Sequence, residues 1–178
     1  MRDALYWSLN VGSIQALKFL GDNPNEITAE GRERMYHYYN DKFRLGHATG
    51  IELMEAEGQI WEPHAEIYGL NAAYANMTFG QNLSATMIQT ATAFSSVVNG
   101  GVWRTPTIVK GIMEGSEIKP LENTEKIEDQ ILTPETSSTM RGMLINNRSY
   151  KVRSGIDKPG YDVGGKSGTA QVIVDGAY

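Results

Sequence analysis

Residues 164–174 read Gly164-Gly165-Lys166-Ser167-Gly168-Thr169-Ala170-Gln171-Val172-Ile173-Val174. A turn of small residues carrying one lysine leads into a β-branched run, and two architectures write such text. The first is a phosphate loop: Gly160, Gly165, Lys166 and Ser167 fit G-x-x-x-x-G-K-[ST] letter for letter. That loop must follow a strand and open a helix, because the helix N-terminus supplies the N–H groups that hold phosphate. Here Pro159 precedes the first glycine, the serine is followed by strand-like residues, and no magnesium-binding carboxylate strand comes after them. The second is a K-[ST]-G strand edge. At such an edge the glycine leaves space for another backbone to lie against the strand. The bland alternative is a glycine-rich strand entry with a solvated lysine.

The chain around this motif has 178 residues, 40% of them apolar and 21% charged. Sixteen Lys and Arg stand against 21 Asp and Glu, a net charge of −5, which excludes a strongly basic nucleic-acid surface. The ordinary apolar content excludes a disordered acidic tail. Cysteine is absent, so disulfides and thiolate metal sites are excluded; the absence suits an oxidising compartment. His37, His47 and His64 lack the spacing of a helical HExxH site, so no metal is expected, and no cofactor. The uncharged stretch Ile67 to Trp103 is broken by Asn, Gln, Ser and Thr and never reaches the ~18 consecutive apolar residues of a spanning helix. Met1-Arg2-Asp3 opens no signal peptide, so a membrane anchor is expected to lie outside this chain.

Periodicity predicts helix over residues 2–20 with a break near Asn10-Val11-Gly12 and a stop at Gly21. Residues 28–44 read as helix, with Thr28 as cap and Met35, Tyr39 and Phe43 on one face. Gly46 to Gln59 is a connection. A helix is expected from about Ser84 to Val98, with Met87, Ile88, Ala91, Phe94 and Val98 buried and Asn99-Gly100-Gly101 as its stop. Val102 to Met113 reads as an extended arm and residues 114–130 as a charged loop. Thr133-Pro134-Glu135 opens a third helix through Met140, Met143 and Leu144. Lys151 to Gly160 is a loop, and Val163 to Val174 a buried strand that lacks neighbours in this chain. With no repeat and no linker signal, residues 1–178 are treated as one piece.

Ser8-Leu9-Asn10 fits S-x-N, whose bland reading is a helix-terminal Ser and Asn capping backbone groups. In penicillin-recognising serine enzymes S-x-N precedes the K-[ST]-G strand, and it does so here. Asp3-Ala4-Leu5-Tyr6-Trp7-Ser8-Leu9-Asn10-Val11-Gly12 closely resembles the segment around that motif in class B penicillin-binding proteins. So do Phe43-Arg44-Leu45-Gly46-His47-Ala48-Thr49-Gly50-Ile51-Glu52-Leu53, Glu57-Gly58, Phe79-Gly80-Gln81, Asn99-Gly100-Gly101 and Gly165-Lys166-Ser167-Gly168-Thr169-Ala170-Gln171. The resemblance runs in order from residue 3 to residue 175. The ending Thr169-Ala170-Gln171 is similar to the monofunctional class B transpeptidases more than to the bifunctional class A enzymes.

The resemblance implies an α/β three-layer fold of the β-lactamase and transpeptidase type, with helices around an antiparallel sheet, present here in part. It implies D,D-transpeptidation: a serine in S-x-x-K attacks the D-Ala-D-Ala end of a peptidoglycan stem peptide, D-Ala leaves, and a neighbouring amine resolves the acyl-enzyme. β-Lactam antibiotics inhibit by mimicking the dipeptide. Carried onto this sequence, Ser8 relays a proton to the leaving amine and Asn10 hydrogen-bonds the substrate amide. Lys166 adds positive charge beside Ser8, Ser167 and Thr169 bind the substrate carboxylate, and Gly168 leaves room for the substrate backbone. The Thr169 N–H forms half of the oxyanion hole and Gln171 rims the site. Strict strand alternation puts Lys166 and Thr169 on opposite faces, which only a twisted entry reconciles.

In the family S-x-x-K precedes S-x-N by tens of residues, and here S-x-N begins at residue 8. The one match, Ser116-Glu117-Ile118-Lys119, sits in charged text before Pro120 and reads as a surface loop. A catalytic version should open a buried helix that desolvates its lysine. Residues 1–178 are therefore expected to be the middle of a transpeptidase domain that does not catalyse alone. Its implied location is the outer face of the inner membrane. Its implied partners are stem peptides, β-lactams, the remainder of the domain and other cell-wall synthesis proteins, with no nucleic acid. The alternatives are a penicillin-binding sensor that performs no transfer and a P-loop nucleotide binder. The Tyr36, Tyr38, Tyr39 cluster reads as packing rather than a sugar platform, and Glu52, Glu55 and Glu57 as a solvated face.

Overall fold

The computed structural model describes residues 2–120, 127–151 and 159–168. They fall into two compact units, one of Met1–His37, Trp61–Leu83 and Ser138–Tyr178, the other of Tyr38–Ile60 and Ser84–Ser137.

The first unit is helical. α1 (Arg2–Trp7) and α2 (Asn10–Leu20) break at Ser8-Leu9, two residues before the expected break. Gly12 stays inside α2 because it is a packing residue: a Cβ built there would lie 2.5 Å from the Ala4 Cβ of α1. Thr28 caps α3 (Ala29–Tyr36) as predicted, accepting the Gly31 N–H at 3.1 Å. α4 (Leu70–Met77) is a helix that periodicity does not announce, being only eight residues long. It is tied down by polar contacts. The buried Tyr74 hydroxyl donates to the Trp61 carbonyl at 2.6 Å, and burial pushes its phenol pKa up. Arg32 donates to the Pro63 carbonyl at 2.9 Å and to Asn71 Oδ1. Leu17, Met35, Ala73, Tyr74, Met77 and Leu144 are the buried apolar residues of this unit among the described residues. Leu144 belongs to α6 (Pro134–Lys151), which starts at the expected proline.

His37–Lys42 form a π-helical turn, of which Tyr38 to Lys42 belong to the second unit. Its wider repeat shows in the Phe43 N–H donating to the Tyr38 carbonyl at 2.8 Å, which brings the two rings to 6.4 Å. Burial raises the pKa of the Tyr39 phenol, as packing requires, whereas Tyr38 of the same cluster is 41% exposed. α5 (Met87–Val98) has a capping box: Thr86 Oγ1 accepts the Gln89 N–H, and Gln89 Oε1 accepts the Thr86 N–H. Its expected buried face is wrong. Met87 is 90% and Phe94 46% exposed, while Gln89, Thr92, Ala93 and Ser96 are buried. Gln89 and Ser96 can go inside because their polar groups find hydrogen-bond partners. Gln89 Nε2 donates to the His47 carbonyl at 2.7 Å and Ser96 Oγ to the Ala93 carbonyl at 2.6 Å.

The charged loop expected over 114–130 contains two strands. β1 (Val102–Arg104) pairs antiparallel with β4 (Glu128–Gln130), and β2 (Ile112–Glu114) with β3 (Glu117–Lys119). Trp103 is buried, and the Arg44 guanidinium lies 4.7 Å above its ring with Asp129 3.7 Å away. The expected strand over 163–174 is not formed in its described part: residues 161–168 have no regular structure. A strand exists only by pairing, and this segment instead hydrogen-bonds to helix α6. Residues 169–174 lie outside the described residues. Helices with small antiparallel sheets remain α/β, as expected.

Candidate active site

The site begins at the end of α1. The Leu9 N–H donates to the Ala4 carbonyl at 2.9 Å and the Ser8 N–H to the Leu5 carbonyl at 3.3 Å. These are the two bonds of a Schellman stop, and its left-handed position is usually glycine. Here Ser8 occupies it with φ +56°. The reversal leaves the Ser8 side chain exposed and starts α2 at Asn10, so the stop places both polar residues of S-x-N at one helix junction.

Opposite lies the segment 164–168. Asn147 of α6, buried, donates to the Gly165 carbonyl at 2.7 Å, and the Gly165 N–H donates to the Leu144 carbonyl at 3.2 Å. Gly164 permits the approach: a Cβ there would come within 3.0 Å of Leu144 Cβ and 3.2 Å of the Ile145 nitrogen. So held, Lys166 reaches Ser8. Its ammonium donates to Ser8 Oγ at 2.7 Å and to the Ser167 carbonyl at 2.7 Å. A cleft of about 780 Å³ opens between the two segments, lined by Leu5, Ser8, Asn10, Phe79, Lys166 and Gly168 among others.

Ser8, Asn10, Lys166, Ser167 and Gly168 therefore share one cleft, while Thr169 and Gln171 lie outside the described residues. A cation donating to a hydroxyl can attract an anionic group and pass a proton along the hydroxyl. Lys166 is committed to Ser8 and Ser167, on a segment without regular structure, rather than to a phosphate cradle at a helix start. Ser116 is an exposed residue in the turn between β2 and β3, and Lys119 is ion-paired with Glu114. Among the described residues no group of three or more His, Cys, Asp or Glu could hold a metal.

Sequence reasoning missed Asn147, whose signal was an amide on the Leu144 side of a helix, and the packing role of Gly12. It also misread two acids. Glu55 Oε2 accepts from the Thr49 N–H at 2.9 Å and the Thr49 hydroxyl at 2.6 Å, and Oε1 accepts from the Gly50 N–H at 2.8 Å. Desolvation pushes this carboxyl up, but the hydrogen bonds together outweigh it and its pKa falls below the ordinary value. Glu52 accepts from the Thr107 hydroxyl and the Ile108 N–H, which lower its pKa. These two acids bind loop segments together; Glu57 alone is an exposed acid of the kind expected.

Comparison with known proteins gives the same answer as the motifs. Stage V sporulation protein D of Bacillus subtilis is 34% identical over 149 residues, covering 83% of this chain and 23% of that protein. Peptidoglycan D,D-transpeptidase MrdA of Haemophilus influenzae is 31% identical over 155 residues, covering 80% and 23%. The chain thus spans about a quarter of the length of the curated relatives it matches. A peptidoglycan synthetase from Bifidobacterium adolescentis superposes with a TM-score of 0.76 at 24% identity, over 97% of this chain and 30% of that one, a likeness of fold. The model of the penicillin binding protein transpeptidase domain matches residues 1–178 in full, and with the class B resemblance of its motifs this chain belongs to that family.

Proposed function

We propose that residues 1–178 form part of one transpeptidase domain, with S-x-N at 8–10 and K-S-G at 166–168. The domain cross-links peptidoglycan stem peptides through a serine acyl-enzyme in the cell envelope. The observation that carries this reading is the Lys166–Ser8 hydrogen bond, which joins two motifs 158 positions apart in one cleft. The nucleophilic serine comes from an S-x-x-K segment outside residues 1–178.

In this reading the nucleophile attacks the penultimate D-Ala carbonyl, and the C–N bond to the terminal D-Ala breaks as the ester forms. Ser8 passes a proton to the departing amine, and Lys166 lowers the cost of that transfer by stabilising negative charge on Ser8 Oγ. Asn10 holds the substrate amide. Ser167 and Thr169 hold the terminal carboxylate, Gly168 lets the peptide lie close, the Thr169 N–H faces the oxyanion, and Gln171 rims the cleft. β-Lactams enter as mimics of the dipeptide, and other cell-wall synthesis proteins are the expected partners.

The test is intact-mass spectrometry after incubation with a penicillin, on residues 1–178 and on a longer protein carrying the S-x-x-K segment. The expected result is a gain of one drug mass by the longer protein alone. Acylation of residues 1–178 would place the nucleophile within them, Ser116 first, and overturn the assignment. Turnover by the longer protein with a stem-peptide amine as acceptor then separates transfer from binding.

A further inference from the structure

The hairpin of β2 and β3 leaves all six of its strand residues exposed, with Met113 at 71% and Ile118 at 50%. Two strands alone are marginal in water; three or more with an apolar face are needed. The turn residues are Gly115 and Ser116, and Gly115 has φ +66°, the first position of a II′ turn. In such a hairpin the closing pair Glu114–Glu117 is hydrogen-bonded and the pairs alternate. Met113–Ile118 is then a non-hydrogen-bonded pair, and the Ile118 N–H and C=O point away from β2. Among the described residues no strand pairs with that edge.

We propose that β3 pairs antiparallel with β3 of a second copy of this chain, about a twofold axis at Ile118, to make a four-stranded sheet. The strand is self-complementary. Glu117-Ile118-Lys119 laid antiparallel on itself sets Ile118 opposite Ile118 and each Glu117 opposite Lys119. The outward Ile118 N–H and C=O of each copy then meet those of the other. β2 lacks this property, because Ile112-Met113-Glu114 laid on itself sets Ile112 opposite Glu114. Within each hairpin Glu114 and Glu117 face one another, a like-charge pair, with Lys119 ion-paired to Glu114. In the dimer Lys119 lies between Glu114 of its own hairpin and Glu117 of the second copy, which offsets that repulsion. On the other face Met113 and Ile118 of both copies line up in an apolar row of four. Gly115 and Pro120 bound the strand, so the pairing closes on two copies rather than extending. The paired area is small, so the association is weak and transient.

The chain contains no cysteine, so a single introduced thiol reports only on its own twin. Residues opposite one another in a hydrogen-bonded pair have Cα atoms about 5.5 Å apart, within reach of a disulfide. The I118C chain in a glutathione redox buffer is expected to accumulate a disulfide-linked dimer. M113C, whose twin lies three strand spacings away, or about 14 Å, is expected to stay monomeric. K119E in the I118C background places two acids opposite each other and should lower the dimer yield by about fivefold or more. Adding E117K restores opposite charges and should restore the yield. Circular dichroism shows that each variant is folded. Equal dimer from I118C and M113C, or failure of the charge swap to restore the yield, would overturn the proposal.

Discussion

Lys166 donates a 2.7 Å hydrogen bond to Ser8 Oγ from a segment with no regular structure, so the contact rests on what holds that segment and on what turns the chain at Ser8. Replacing Lys166 by methionine keeps the stem and removes the charge. In the longer acylable protein the second-order rate of acylation by penicillin should fall about 10²-fold or more, the scale of losing one charge-stabilising donor. Arginine keeps the charge, but its planar fork cannot occupy the ammonium's position, so it should rescue only partly. Native-rate acylation of K166M with an unchanged circular dichroism spectrum would remove Lys166 from the machinery.

Ser8 holds a backbone conformation that glycine adopts freely and serine adopts at a cost of about 1–2 kcal/mol. Ser8→Ala keeps that strain and loses the hydroxyl; Ser8→Gly loses both. Both variants lack the Lys166 partner, so their difference isolates the backbone. S8G should be more stable than S8A by about 1 kcal/mol, read as a higher urea midpoint at equal slope. Both should acylate slowly. An S8G chain no more stable than S8A would mean that the turn carries no strain.

Gly12 sets the spacing of α1 and α2 behind Ser8 and Asn10. Gly12→Ala must push a methyl into Ala4 and should cost about 1–3 kcal/mol despite alanine's better helix propensity. Ala4→Gly opens space for that methyl. The A4G/G12A double variant should therefore be more stable than the sum of the single effects. Additive effects in chemical denaturation would show that α1 can move aside freely.

Local signals were legible in the sequence and distant ones were not. Thr28 and Pro134 mark their helix starts because a cap is chemistry within four residues, whereas α5, expected from about Ser84, starts only behind the Thr86 capping box. The face of α5 was misjudged because spacing ranks apolar side chains, whereas Gln89 and Ser96 go inside by satisfying their own hydrogen bonds. β4 is charged text whose strand character comes from Val102 to Arg104, some 26 positions away, and no local pattern carries that. The Ser8–Lys166 pairing was available only through resemblance to a family, since a separation of 158 positions fixes no distance. Asn147 was hidden for the same reason: its partner is the Gly165 backbone, which no side-chain motif reveals.

Asn147 should act as a positioning residue. Asn147→Ala removes the donor to the Gly165 carbonyl and leaves that carbonyl's bond to be replaced by water, at a cost of about 1–2 kcal/mol. The segment then opens more often, so the Gly165 amide, now bonded to the Leu144 carbonyl, should exchange with solvent about tenfold faster. Penicillin acylation of the longer protein should slow with it. Unchanged exchange at Gly165 would show that Gly164 packing alone holds the segment.

Glu55 gives the second unit an acid-sensitive loop. Its folded pKa lies below the ordinary 4.5 because Thr49 and Gly50 donate to the ionised carboxylate. A depressed folded value means that the unfolded chain binds the proton more readily. The stabilisation is therefore complete above about pH 5 and is lost as pH falls from 4.5 through the folded value. Glu55→Gln removes the charge and points amide hydrogens at donors, so at pH 7 it should cost about 1–3 kcal/mol. Glu52, lowered first by the Thr107 hydroxyl, titrates in the same sense and is untouched by this change. Urea midpoints of the two proteins should thus differ most at neutral pH and converge as pH falls from about 5 through the folded value. Parallel curves across that range would show that the Glu55 carboxylate makes no net contribution and that the Thr49–Gly50 turn stands by itself.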